Sequence, residues 1–133
     1  MDARPGLVVL FGSGETSADA QPIHDFVLRQ VTPPIRAAVL ETPAGFELNS
    51  AQVAGRLADF LRVRLQNYHP EVAVVPARRR GTAFSPDDAR IVAPLLSANY
   101  LMMGPGSPTY AVRQLKESLA WHTLVARHRL GYP

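Results

Sequence analysis

The sequence has 133 residues, 47% hydrophobic and 19% charged, the composition of a globular chain with length for one packed core rather than two. It has no cysteine, which excludes disulfides, thiolate metal sites and a cysteine nucleophile. Fourteen basic residues against eleven acidic ones give a net charge of +3, and all of the fourteen except Lys116 are arginines spread along the chain. Their one cluster, Arg78-Arg79-Arg80, lacks the length and interleaved aromatics of a nucleic-acid surface and reads as a solvated loop after a strand.

The first apolar run, Leu7-Val8-Val9-Leu10-Phe11, is too short for a signal-peptide core or a membrane span, so a cytoplasmic location is expected. It reads instead as the first of four short, continuously apolar strands, buried on both faces of a parallel sheet. A helix is predicted from about Pro22 to Val31, stopped by Pro33-Pro34. Ala37 to Leu40 is the second strand. A longer amphipathic helix follows from Ser50, as N-cap, to about Asn67, with Val53, Leu57, Phe60 and Leu61 on its apolar face. Val72 to Val75 is the third strand. The next helix is expected to start at Ser85 as cap with Pro86 at its first position, and Pro94 is expected to kink or shorten it. Tyr100 to Met103 is the fourth strand. Helical segments then begin near Ser107-Pro108 and run from Leu119 to Leu130, with Gly131 as C-terminal cap.

Residues 1–133 therefore read as a single α/β domain. It is expected to be a three-layer sandwich around a parallel sheet of about four strands from a (βα)4 array, flavodoxin- or Rossmann-like. In such sheets ligands sit outside the carboxyl ends of the strands, which directs attention to the loops there. Gly12-Ser13-Gly14-Glu15-Thr16-Ser17 follows the first strand. Its glycines would let backbone amides approach an anion, or simply form a tight turn, and it matches neither a full dinucleotide fingerprint nor a Walker pattern. Ser13 lacks the glycine spacing of a nucleophile elbow, since Phe11 stands at the first glycine position.

Glu15 and Glu41 begin adjacent loops, where carboxylates act as an acid/base pair or, more commonly, cap helices and accept backbone N–H groups. The four histidines lack metal-site spacing, and His24 is expected at a surface or half-buried position. No metal and no cofactor are expected. Gly104-Pro105-Gly106-Ser107-Pro108 is the most specific loop: its glycines allow amides to turn inward, its prolines stiffen it, and Ser107 caps the next helix. It reads either as a nest for an oxyanion or as a rigid turn with no ligand.

Three segments in order resemble the class I glutamine amidotransferase-like superfamily, in particular its cyanophycinase and dipeptidase E-type serine peptidase branch. These are Leu10 to Ser17, then Glu41-Thr42-Pro43-Ala44-Gly45-Phe46 with Asn49, then Gly104 to Tyr110 with Arg113-Gln114-Leu115. The resemblance spans almost the whole chain and covers the first part of that family's domain. It implies substrate-side loops carrying Gly14, Glu15, Thr16 and Glu41, and an oxyanion-side loop of Gly104, Pro105, Gly106 and Ser107. Aspartate is commoner in the family at the position of Glu41, and a small residue at that of Met103.

Family members continue into a Ser-Ala-Gly-Ala-like nucleophile elbow and a later histidine and carboxylate. No residue of this sequence matches that serine or histidine. The expectation is a truncated or partial homologue, inactive alone, whose fourth strand has an open edge covered by a homodimer partner or a complementing chain. Two alternatives stay open: a module binding a small molecule, peptide or anion through Gly14, Thr16, Gly106 and Ser107, and a partner-binding domain. Neither nucleic acid nor membrane is an expected partner.

Overall fold

The computed structural model describes residues 4–133. Its central strand is β1, Arg36–Leu40, a run of small and branched side chains that is buried after its first residue. β1 is flanked on one edge by β2, Glu71–Val75, and on the other by β3, Tyr100–Met103, so the order is β2-β1-β3. Both pairings are parallel, with Leu40 level with Val75 and with Met103, which brings the three carboxyl ends to one rim.

Side chains of successive strand residues point to opposite faces, and β1 shows why both faces had to be apolar. Ala37 and Val39 pack with Tyr100 and Met102 against the buried faces of α1, Gln21–Leu28, and α2, Ser50–Arg64. Ala38 and Leu40 pack on the other side with Val75, Val92, Leu95, Ala111, Leu115 and Ala120. Those residues come from β2 and from α3, Ala89–Ser97, α4, Pro108–Leu115, and α5, Leu119–Arg129. The described residues thus form an α/β fold in which five α-helices cover both faces of an open three-stranded parallel sheet, a Rossmann-like arrangement.

Most predicted elements lie within a few residues of those observed, and the differences have local causes. Asn49 rather than Ser50 precedes α2, and Arg64 ends it, with a separate 3-10 turn at Gln66–Tyr68. α3 begins at Ala89 because the Asp88 carboxylate caps it by accepting the Arg90 N–H; Ser85 instead accepts the Asp87 N–H in the preceding turn. Pro94 lies inside α3 rather than ending it, and in so short a helix the missing donor costs one intrahelical bond.

The larger correction concerns the first apolar run. Leu7 to Phe11 forms no strand, and the sheet has three strands where about four were expected. β1 is already paired along both edges, so the run finds no place beside it. On the outer edge of β3 the Leu101 N–H is taken by the Pro133 carbonyl at 2.9 Å, while the Gly6 N–H goes to the His128 carbonyl, also at 2.9 Å. From Leu7 to Ser13 no backbone group is hydrogen-bonded to a described residue. Leu7, Val8, Val9 and Leu10 are 43%, 70%, 39% and 90% exposed, an alternation of period two that leaves Val8 and Leu10 outermost.

Candidate functional site

Beyond the rim of the sheet, the segments following β1, β2 and β3 fold onto one another. Thr42 donates its hydroxyl to the Ala77 carbonyl at 2.6 Å, and Tyr110 of α4 donates its own to the Arg78 carbonyl at 2.6 Å. Burial raises the Tyr110 phenol above its ordinary pKa, keeping it the donor of that bond. The Gly104 N–H reaches the Leu40 carbonyl at 3.0 Å, and the Ser107 N–H reaches the Pro43 carbonyl at 2.9 Å. Two close approaches demand glycine: a Cβ on Gly106 would overlap the Pro43 carbonyl, and one on Gly45 would overlap the Arg78 backbone.

These contacts decide what the Gly104 to Ser107 loop can present. Pro105 has no N–H, and the amides of Gly104 and Ser107 are consumed within the fold. Of the three N–H groups in the loop, that of Gly106 is the one with no partner among the described residues. Ser107 caps α4 as expected, its hydroxyl accepting the Tyr110 N–H at 3.2 Å.

Glu41 sits at the carboxyl end of the central strand with its side chain wholly buried. Its Oε2 accepts from Arg78 Nε at 3.0 Å, and its Oε1 has no partner. The carboxylate neither caps a helix nor meets Glu15, to which no hydrogen bond or ion pair joins it. Arg78 in turn stacks 4.3 Å over the Phe84 ring, so the first arginine of the cluster is an anchor of the rim rather than a solvated loop residue. The reading of this triplet as solvated holds best for Arg79, which is exposed.

The glycine turn after Leu7 to Phe11 lies across a cavity from the β3 loop. Gly14 has φ +71, and its carbonyl accepts both the N–H and the hydroxyl of Ser17 at 2.9 and 2.7 Å. The turn is pinned by His24, which is fully buried rather than at the surface or half-buried as expected. One imidazole nitrogen, Nε2, lies 3.1 Å from the Glu15 carbonyl and the other, Nδ1, lies 2.5 Å from the Tyr100 hydroxyl. A carbonyl can only accept, so Nε2 carries the proton and Nδ1 receives the tyrosine's. Phe11, Phe60 and Tyr100 surround the ring. Burial lowers the His24 pKa below 6.5, against smaller opposing effects of the Glu15 carbonyl and the Asp25 charge. The same apolar surroundings raise the Tyr100 pKa, so the pair stays neutral and hydrogen-bonded.

A cavity of about 1110 Å³ opens between the two loops. Its walls include Gly14 and Glu15 on one side and Met103, Gly104, Pro105 and Gly106 on the other, over a largely apolar floor from β3 and α5. The structure therefore brings together five of the eight residues singled out from sequence. Thr16, Glu41 and Ser107 are not part of the lining: Thr16 is exposed, Glu41 is buried with Arg78, and Ser107 is used as a cap. Met103, 39% exposed, is part of the lining next to Gly104. His24, Arg78 and Tyr110 position these loops, through partners far away in sequence.

Among the described residues no group of three or more His, Asp or Glu is placed to hold a metal, and no helix is long and apolar enough to cross a membrane. No protein-family model, no curated protein and no solved structure matches the chain.

Proposed function

We propose that this chain carries the ligand-binding half of a hydrolase site of the cyanophycinase and dipeptidase E-type kind: the sheet and the oxyanion-side loop, without a nucleophile. The carrying observation is the cavity at the carboxyl ends of the strands, with the unengaged Gly106 N–H in its wall. An amide held this rigidly is suited to the developing oxyanion of an acyl-transfer intermediate, because it needs no reorganisation when the charge appears. The rigidity comes from Pro105, Pro108 and the packing of Gly106 on Pro43.

Three of the hydroxyl and imidazole side chains at this end have other work, while Ser13 and His128 line the cavity with no side-chain hydrogen bond to a described residue and no bond to each other. Ser107 caps α4, Ser17 donates to Gly14, and both nitrogens of His24 are engaged. No described serine is hydrogen-bonded to a histidine, which is the pairing that activates a serine for attack. On this reading the chain binds at the cavity and does not turn over. Purified chain should neither hydrolyse acidic or β-linked dipeptides nor take up a serine-directed phosphonate. Phosphonate-sensitive hydrolysis with stoichiometric labelling would contradict the reading.

A second reading, a module that binds a small anionic ligand, draws on the same cavity and on the same free amide. Phosphate- or carboxylate-bearing metabolites should then raise the melting temperature and shift the Gly106 amide resonance. Peptide ligands that shift that resonance while phosphate does not would favour the first reading.

A further inference from the structure

The stretch from Pro5 to Gly14 contains no charged residue in a chain of net charge +3, and its backbone from Leu7 to Ser13 has no hydrogen bond to a described residue. An apolar segment with free N–H and C=O groups is a template for strand pairing. We propose that Leu7 to Phe11 pairs antiparallel with the same residues of a second copy of this chain, across a two-fold axis. This rests on the exposed run and is independent of the hydrolase reading.

Three observations select a second copy as the occupant. The first is charge. An acidic partner would seek the arginines, and none lies in this stretch, whereas a copy brings an equally uncharged surface and no like-charge repulsion. The second is symmetry: an antiparallel pair about a two-fold axis is self-complementary, so one segment supplies both sides of the ladder. The third is area. The exposed parts of Leu7, Val8, Val9, Leu10, Met103 and Trp121 amount to on the order of 600 Å² of largely apolar surface per copy, against the ~800 Å² each partner gives to a standard interface. Paired backbone and neighbouring polar atoms supply the difference.

The alternation of exposure fits the geometry. All five residues of the run border the cavity, and Val8 and Leu10 are the more exposed of them, so both faces of the ribbon are apolar. Pairing would also wall the outer side of that cavity and order the turn at Gly12-Ser13-Gly14 that follows the run.

The test is sedimentation of the full chain from about 1 to 100 μM, with hydrogen exchange followed at residues 7–11. A concentration-dependent dimer is expected, with these amides protected in the dimer and exposed on dilution. The double variant Val8→Lys, Leu10→Lys, altering the two most exposed side chains of the run, should weaken association at least tenfold while the circular dichroism of the monomer stays near that of the parent. A monomer at 100 μM overturns the proposal. So does a dimer indifferent to both lysines, or one whose amides at 7–11 exchange at the unprotected rate. Protection that appears in monomers only when zwitterionic vesicles are added would assign the run to a lipid surface instead and equally overturn it.

Discussion

Two apolar runs of this chain carry nearly the same signature in sequence and end in opposite environments. Ala37 to Leu40 lies at the centre of the sheet, with each residue at most 4% exposed; Leu7 to Phe11 lies outside it, and Leu10 is 90% exposed. Hydrophobicity qualifies both as strands, and it cannot choose between them. The choice is made by neighbours. β1 has a partner along each edge and a helical layer on each face, so every backbone group and side chain is satisfied at once. The first run meets an edge whose Leu101 N–H is already held by Pro133. A strand is a pairing as much as a pattern.

The contrast can be broken or sharpened by substitution. The largest effect is expected at the rim that β1 supports. Gly106→Val would drive a side chain into the Pro43 backbone and should cost about 3 kcal/mol or more in denaturant unfolding, with loss of any ligand-induced shift in melting. The matched pair Leu40→Ala and Leu10→Ala, measured at concentrations where the chain is monomeric, isolates the comparison itself: about 3 kcal/mol for the first and within about 0.5 kcal/mol for the second. Equal costs would mean that the first run is packed in solution.

Glu41→Ala removes one half of an ion pair whose other member, Arg78, keeps a side chain 29% exposed. Water can reach the surviving guanidinium, so the cost should be about 2 kcal/mol, below the 3–5 kcal/mol typical of fully buried pairs.

A smaller effect is expected from pH. The unfolded His24 imidazole takes up a proton near pH 6.5, whereas the buried one does so only at lower pH. Below 6.5 the unfolded state therefore binds more protons. Stability is fully present above that pH and falls as the solution is acidified toward the folded pKa, by up to about 1.4 kcal/mol per pH unit. Denaturation curves at pH 7.5 and 5 should show the loss, and His24→Asn should flatten it. A parent protein equally stable at both would contradict the neutral His24–Tyr100 pair.

Much of the fold was legible because its signals are local. Continuous apolar runs marked β1, β2 and β3, and Ser107 announced the start of α4 through its capping chemistry. What escaped depends on contacts between distant residues. His24 is 76 residues from the tyrosine that satisfies it, and Arg78 is 37 from the glutamate it neutralises. Nothing in the neighbourhood of either in sequence announces burial.

The loops were legible as loops, since glycine and proline punctuate them. Which amide stays free was not: that depends on the Leu40 and Pro43 carbonyls lying within reach of Gly104 and Ser107. Thr16 and Glu41 fail to line the cavity for the same kind of reason, one left in solvent and the other drawn beneath the rim by Arg78.

The central proposal is that the chain binds ligand in a largely apolar cavity beside the free Gly106 amide and does not turn it over. Incubation of the purified protein with a fluorophosphonate and an acidic dipeptide, followed by intact mass and product analysis, tests it most directly. The account predicts unmodified protein and intact dipeptide, with the dipeptide shifting the Gly106 amide resonance. A covalent adduct on any serine, accompanied by dipeptide cleavage that the phosphonate abolishes, would contradict it.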